Sequence, residues 1–274
     1  VGGLWSISRG DLENQLAVAT EGAVPLLVAL LSGSAEQTEL HRNAAGALWS
    51  LGAAPSNQPL IAKEGAIKPL ISLLRETSKG AQETAAGALH SLAALDTNRV
   101  AIAEGGGVGA LVAIFEEGTD EAKTEASGAL SALVVGNPHN QSAVARECVL
   151  MLGSTRIKNA PQAKEAVTTL LQTLSRTPEN RGSLAKAGAI PELARQLRDG
   201  TSMAQHHAAS ALSQIALKSP EVRVQATQQL VTLLGSEVDA VRQRAGTALK
   251  DMAAAGSGDT NRMTVAMAGG IDRF

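Results

Sequence analysis

Aromatic side chains are nearly missing from this chain. Among 274 residues there is no Tyr, and only two Phe and two Trp. Proteins that read single-stranded nucleic acid need aromatic or Arg platforms for bases and cations for phosphates. Two Trp and a formal net charge of −2 argue against that class. Cysteine is equally scarce: Cys148 is alone, so no intrachain disulfide forms, in keeping with a reducing compartment. Its setting, VARECVLML, predicts a buried, inert thiol rather than a nucleophile. Long apolar runs are absent too, and no segment has the roughly 18 consecutive apolar residues of a membrane span. The five histidines, among them His41, His139 and the pair His206-His207, have no Cys or carboxylate at metal-ligand spacing. Gly105-Gly106-Gly107 lacks the preceding strand and the following Lys-Ser/Thr of a phosphate loop. Nothing supplies a nucleophile, a metal or a cofactor loop. The expectation is therefore no catalytic site, no metal site, no cofactor and no enzymatic activity.

What is abundant is small and aliphatic: hydrophobic residues make up 44% of the chain. They recur in order. Residues 44–51 read AAGALWSL, with related copies VGGLWSI at 1–7, AAGALHSL at 85–92, ASGALSAL at 126–133, VTTLLQTL at 167–174, AASALSQI at 208–215 and AGTALKDM at 245–252. Small or apolar residues fall at spacings of three, one and three, as in Ala44, Ala47, Leu48 and Leu51, which puts them on one face of a helix. The copies lie about 41 residues apart, the mark of a stacked helical array.

Two further segments accompany each copy. One opens on Asn and reaches Gly eight residues later: NQLAVATEG from Asn14, NQPLIAKEG from Asn57, NRVAIAEGG from Asn98, NRGSLAKAG from Asn180 and NRMTVAMAG from Asn261. It predicts a two-turn helix with Asn as N-cap and a glycine corner at its end. A medium helix follows, GAVPLLVALL from Gly22, GAIKPLISLL from Gly65, GGVGALVAIF from Gly106 and GAIPELARQL from Gly188, with Pro25, Pro69 and Pro191 in its first turn. A polar loop then leads to the long AAGALWSL-type helix.

This order of motifs resembles the armadillo repeat, and the resemblance runs along essentially the whole chain. It implies an all-α fold, a right-handed α-solenoid forming an α-α superhelix. The repeats would span 14–56, 57–97, 98–136, 137–179, 180–218 and 219–260, with partial ones at 1–13 and 261–274. Two units depart from the pattern. Leu130 to Cys148 and Leu212 to Leu230 are each 18 residues apart, against 22 from Leu48 to Leu70. The spacing predicts single helices over 138–152 and 220–234, stopped by Gly153 and Gly235, and hence HEAT-like repeats. A three-helix reading, with Asn140 eight before Cys148, is the alternative.

In such an array the third helices line the concave side. The candidate partner-binding residues there are Trp5, Ser6, Trp49, Ser50, His90, Ser91, Ser131, Gln172, Thr173, Ser213, Gln214, Lys250 and Asp251. Trp5 and Trp49 share a register and read either as partner anchors or as packing against the adjacent repeat. The family often places Asn at the Ser50 position, where a primary amide clamps a peptide backbone. Here that series is Ser6, Ser50, Ser91, Ala132, Thr173, Gln214, Asp251. The Trp–Asn array that takes nuclear-import signals is thus absent, which disfavours that cargo mode. The resemblance implies an interaction scaffold or adaptor of the cytoplasm or nucleus that holds an extended peptide or a helix. A chain opening on Val1 and closing within a repeat is expected to belong to a longer protein or to meet other copies end to end, so a homo-oligomer through apolar solenoid ends is the alternative.

Overall fold

The structure is a computed structural model that describes residues 1–33, 37–76 and 78–255. Among them are seventeen α-helices and no strand. The motif at Asn261, and the partial repeat it opens, lie outside the described residues. The helices group into two compact units, Val1–Asn140 and Gln141–Phe274.

The first unit opens with α1 (Gly2–Ser8), a seven-residue helix. Three repeats follow: α2 (Leu12–Thr20), α3 (Ala23–Leu31), α4 (Thr38–Gly52); α5 (Gln58–Lys63), α6 (Ile67–Leu73), α7 (Lys79–Leu92); and α8 (Asp96–Glu104), α9 (Gly107–Glu117), α10 (Asp120–Leu133). The glycines eight residues after Asn do turn the corner. Gly22, Gly65 and Gly106 have φ of 80°, 84° and 80°, a left-handed conformation open to Gly at little cost. Across Gly22 the chain bends by 82°. The third helices begin on hydroxyl caps where the sequence offers one: Ser78 accepts from the Ala81 N–H and Thr119 from the Ala122 N–H.

The third helices α1, α4, α7 and α10 pack side by side in chain order. Ala44, Ala47, Leu48 and Leu51, with their equivalents Ala85, Ala88, Leu89, Leu92 and Ala126, Ala129, Leu130, Leu133, are all buried. Alanines at the contact let neighbouring backbones approach closely, and the leucines fill the space against Leu27, Ile61, Leu70, Ile102 and Leu111. Each fully buried Leu contributes roughly 1.5–3 kcal/mol relative to exposure.

The described motif asparagines Asn14, Asn57, Asn98 and Asn180 do not cap helices through their side chains, whereas Asn137 does, accepting from the Asn140 N–H at 3.0 Å. The cap of α2 is Asp11, which accepts from the Asn14 N–H. Asn57, Asn98 and Asn140 are buried and point backwards. Their amide nitrogens donate to the carbonyls of Leu51 (3.0 Å), Leu92 (3.1 Å) and Leu133 (2.9 Å), at the ends of the preceding third helices. Asn57 and Asn140 also donate to the Gln15 and Arg99 carbonyls one repeat earlier. The next residue repeats the device. Gln15, Gln58 and Arg99 donate to the carbonyls of Ser8, Gly52 and Ala93. The last carbonyls of a helix have no partner inside it, and the Asn-Gln/Arg dipeptide supplies one. The Leu51 and Leu92 carbonyls also accept from the Ala54 and Leu95 N–H groups, so each Asn adds a second donor to a buried carbonyl that water does not reach, and this outweighs capping an exposed helix start.

In the second unit, Pro138–Gly153 (α11) and Pro220–Leu233 (α16) are single continuous helices, as their spacing predicts. Ser219 caps α16, accepting from the Val222 N–H. The remaining elements are α12 (Pro161–Arg176), α13 (Pro178–Lys186), α14 (Ala189–Asp199), α15 (Ser202–Ile215) and α17 (Asp239–Ala254). Here α12, α15 and α17 stack in order, and α14 packs on α15 and α16. Gly188 turns the corner before α14 with φ of 86°. Asn180 again donates to a third-helix carbonyl, that of Leu174, at 3.1 Å.

Candidate functional site

The third helices of the first unit carry a repeated ring contact. The Trp5 indole lies over Gly46 of α4, the Trp49 indole over Gly87 of α7, and the His90 imidazole over Gly128 of α10. A Cβ at those glycines would stand 2.6, 2.5 and 2.4 Å from ring atoms. Glycine in a helix interior costs about 0.5–1 kcal/mol against Ala; at these three places it makes the seat for a ring from the helix before. Of the two readings of the tryptophans, the structure shows packing against the adjacent repeat. Trp5 and Trp49 nevertheless stay half-exposed and His90 exposed.

Polar and charged groups border these rings. The Arg42 and Arg9 guanidinium carbons lie 5.8 and 6.0 Å from the Trp5 ring centroid, within cation–π range. His90 Nδ1 is 2.8 Å from Glu125 Oε2, linking α7 to α10. In the second unit the same register is polar. Gln172 Nε2 donates to Ser210 Oγ of α15 at 3.4 Å; nearer the helix starts and outside that register, Arg244 of α17 donates to Gln205 Oε1 and Ser202 Oγ of α15, both at 2.8 Å. Thr201 Oγ1 donates to Glu165 Oε2. Burial, then the neighbouring His206, hold the His207 imidazolium below its ordinary range.

The other sequence-predicted residues divide by exposure. Ser6, Thr173, Lys250 and Asp251 are exposed, and Ser91, Ser131 and Gln214 are half-buried. Gln214 Oε1 accepts from Arg181 at 2.9 Å. Three are corrected: Ser50, Gln172 and Ser213 are only 8%, 8% and 5% exposed. At the Ser50 position of α4 the helix turns into the core, and Gln172 and Ser213 face the next helix or their own backbone, Ser213 donating to the Ser210 carbonyl. These three do not present a polar group to a partner. Alignment of the repeats already places Gly46, Gly87 and Gly128 on this helix face; the structure adds that each seats a ring from the helix before. The signal for the seat is a glycine held inside an otherwise strong helix pattern. Cys148 is buried and its thiol is pushed up to about 12, chiefly by desolvation and then by Glu147. No single helix among the described residues is long and apolar enough to cross a membrane.

These features define a class: tandem repeats of a short, a medium and a long helix, with the long helices forming one row in each unit. Residues 11–53 and 55–94 match the sequence profile of the Armadillo/beta-catenin-like repeat. No curated protein matches the chain significantly. Solved structures do. One is an engineered protein, 27% identical, covering 99% of this chain and 67% of its own with a TM-score of 0.64. Another is the designed armadillo repeat protein YIII(Dq)4CqI, 22% identical, covering 91% of this chain and 90% of its own with a TM-score of 0.54. A third, the designed armadillo repeat protein YIII(Dq.V1)4CPAF in complex with peptide (KR)4, is 19% identical and covers 84% of this chain and 99% of its own with a TM-score of 0.57. Residues 11–94 thus carry armadillo-type repeats, and the all-helical solenoid fold of the chain is that of the armadillo-repeat structures it resembles.

Proposed function

We infer that this chain is a non-enzymatic scaffold that holds an extended peptide of a protein partner along the exposed row of its third helices. The observation that carries the reading is the ring ladder. Trp5, Trp49 and His90 are each seated on a glycine of the next helix while remaining partly open to solvent. The Trp5 and Trp49 rings, fixed by packing, lose little entropy on binding, and Trp is among the residue types that dominate binding energies. The successive helices repeat the same contacts at one peptide-sized step after another. The designed armadillo repeat protein solved with peptide (KR)4 supports the peptide class. In the first unit Ser91 and Ser131 extend the candidate surface; in the second unit Thr173, Gln214, Lys250 and Asp251 form a candidate surface of their own. A cytoplasmic or nuclear adaptor role accords with the single reduced thiol.

Screening the chain against a displayed peptide library tests this. Selected peptides lose affinity with Trp49→Ala and with Ser91→Arg, which narrows the row. Peptides that bind both variants as well as the parent would place the site elsewhere. A second reading, self-association, has its own observation. Ile7, Leu12 and Leu16 are 54%, 58% and 38% exposed at one end of the first unit. Light scattering over a concentration series that shows only monomer removes that reading.

A further inference from the structure

The second unit contains a cavity of about 370 Å³ away from the exposed row. Its walls come from the end of α11, the connector 154–160, the start of α12 and the last turns of α14. The connector is fixed. Ile157 is fully buried beneath it, and Lys164 Nζ donates to the Lys158 carbonyl at 2.7 Å. Arg195 is fixed as well, donating to the Leu152 carbonyl at 2.8 Å and pairing with Glu192.

Three cations, Lys158, Lys164 and Arg195, line this space against one carboxylate, Asp199. Neither Lys158 nor Lys164 forms an ion pair among the described residues. Asp199 is held by Arg198, whose Nε and terminal nitrogen each lie 2.9 Å from a carboxylate oxygen. Its carboxyl is kept below the usual range, first by that hydrogen bond, with Arg195 and Lys164 adding to the field. Gln196 also lines the cavity. It is only 3% exposed, and its Oε1 is buried without a partner. A buried amide oxygen in that state is unfavourable until a donor reaches it. The torsion about the terminal amide is broad, so a small rotation turns either a donor or an acceptor into the cavity.

We propose that this cavity binds a small phosphorylated polyol, with the phosphate at Lys158, Lys164 and Arg195 and the hydroxyls on Gln196 and Asp199. The chemistry divides the wall in two. Pre-positioned cations with net positive charge attract an anion and form charge-assisted hydrogen bonds to its oxygens. The amide and the ionised carboxylate accept from the carbon-borne hydroxyl groups of a polyol, which inorganic phosphate lacks. The volume is that of a ligand well beyond one inorganic phosphate. The site is independent of the exposed row, so failure of the peptide reading leaves it standing, and the reverse.

Calorimetric titration of the whole chain tests it with fructose 1,6-bisphosphate, glucose 6-phosphate and inositol 1,4,5-trisphosphate, and with fructose and inorganic phosphate as comparisons. At least one phosphorylated polyol binds, inorganic phosphate binds about tenfold or more weakly, and fructose gives no heat. Lys158→Glu places an acid on an exposed side chain that makes no hydrogen bond or ion pair among the described residues, and weakens the ligand about tenfold or more. Gln196→Leu weakens the phosphorylated polyol while leaving inorganic phosphate unchanged. Lys68→Glu, on α6 of the first unit, has no effect. Three results overturn the proposal. They are no binding by any of the three phosphorylated polyols at millimolar concentration, equal binding of inorganic phosphate, or unchanged affinity in both Lys158→Glu and Gln196→Leu.

Discussion

Replacing Asn57 separates two roles that the same residue type performs in helical proteins. As an N-cap, Asn works through its side-chain oxygen, and Asp serves equally well. In this fold Asn57 works through its nitrogen, which donates at 3.0 Å to both the Leu51 and the Gln15 carbonyls, in a setting only 5% exposed. The reversed amide would put an oxygen against two carbonyl oxygens, so the hydrogen bonds themselves fix its orientation. The Leu51 carbonyl also accepts from the Ala54 N–H. Asn57→Ala therefore removes one of its two partners rather than orphaning it. At roughly 1 kcal/mol for each lost hydrogen bond, plus a small cavity, the substitution costs about 2–3 kcal/mol. Asn57→Asp costs more, because a buried carboxylate then faces two carbonyl oxygens. Asn14→Ala, at an exposed position, costs under about 1 kcal/mol. Urea titrations followed by Trp fluorescence and far-UV circular dichroism give the ranking. The two Trp, Trp5 and Trp49, lie on α1 and α4 and so report on the first unit. If Asn57→Asp were as stable as the parent within about 0.5 kcal/mol, the carbonyl-donor account would be refuted and the N-cap account restored.

Four other outcomes follow from particular contacts. Gly87→Ala puts a Cβ 2.5 Å from the Trp49 ring; overpacking of about 1–3 kcal/mol outweighs the roughly 1 kcal/mol gain in helix propensity, and a Trp49→Ala, Gly87→Ala double-mutant cycle shows coupling. Gly128→Ala meets the exposed His90, which can swing aside, so it costs less. Cys148, with its thiol at about 12 against an ordinary 9.0, resists Ellman's reagent in the folded chain and reacts fully in urea. Its sign is that of a group kept protonated by folding: stability falls as pH rises above 9.0, where the unfolded thiol ionises and the folded one does not. His207 has the opposite sense. Its folded value lies below the ordinary 6.5, so the unfolded chain takes up the proton first and stability falls as pH drops below 6.5. His207→Gln flattens that part of a stability-versus-pH curve.

The sequence alone determined the repeat. Its period, the helix order, the glycine corners at Gly22, Gly65, Gly106 and Gly188, and the single helices at Pro138–Gly153 and Pro220–Leu233 were all legible. Each rests on contacts within one turn or on one apolar face, and such local rules leave a direct trace in residue spacing. Tertiary structure decided what crosses from one repeat to the next. The Asn residues gave up the N-cap role for carbonyls brought close only when helices stack, and Ser50, Gln172 and Ser213 were turned inward. The tryptophans found glycines 41 and 38 residues ahead, at Gly46 and Gly87. Lys158, Lys164 and Arg195 met around a cavity that no motif announces, because they come from three segments with unrelated spacing. Periodicity fixes which face of a helix is buried; only the packed neighbours fix what each side chain on that face touches.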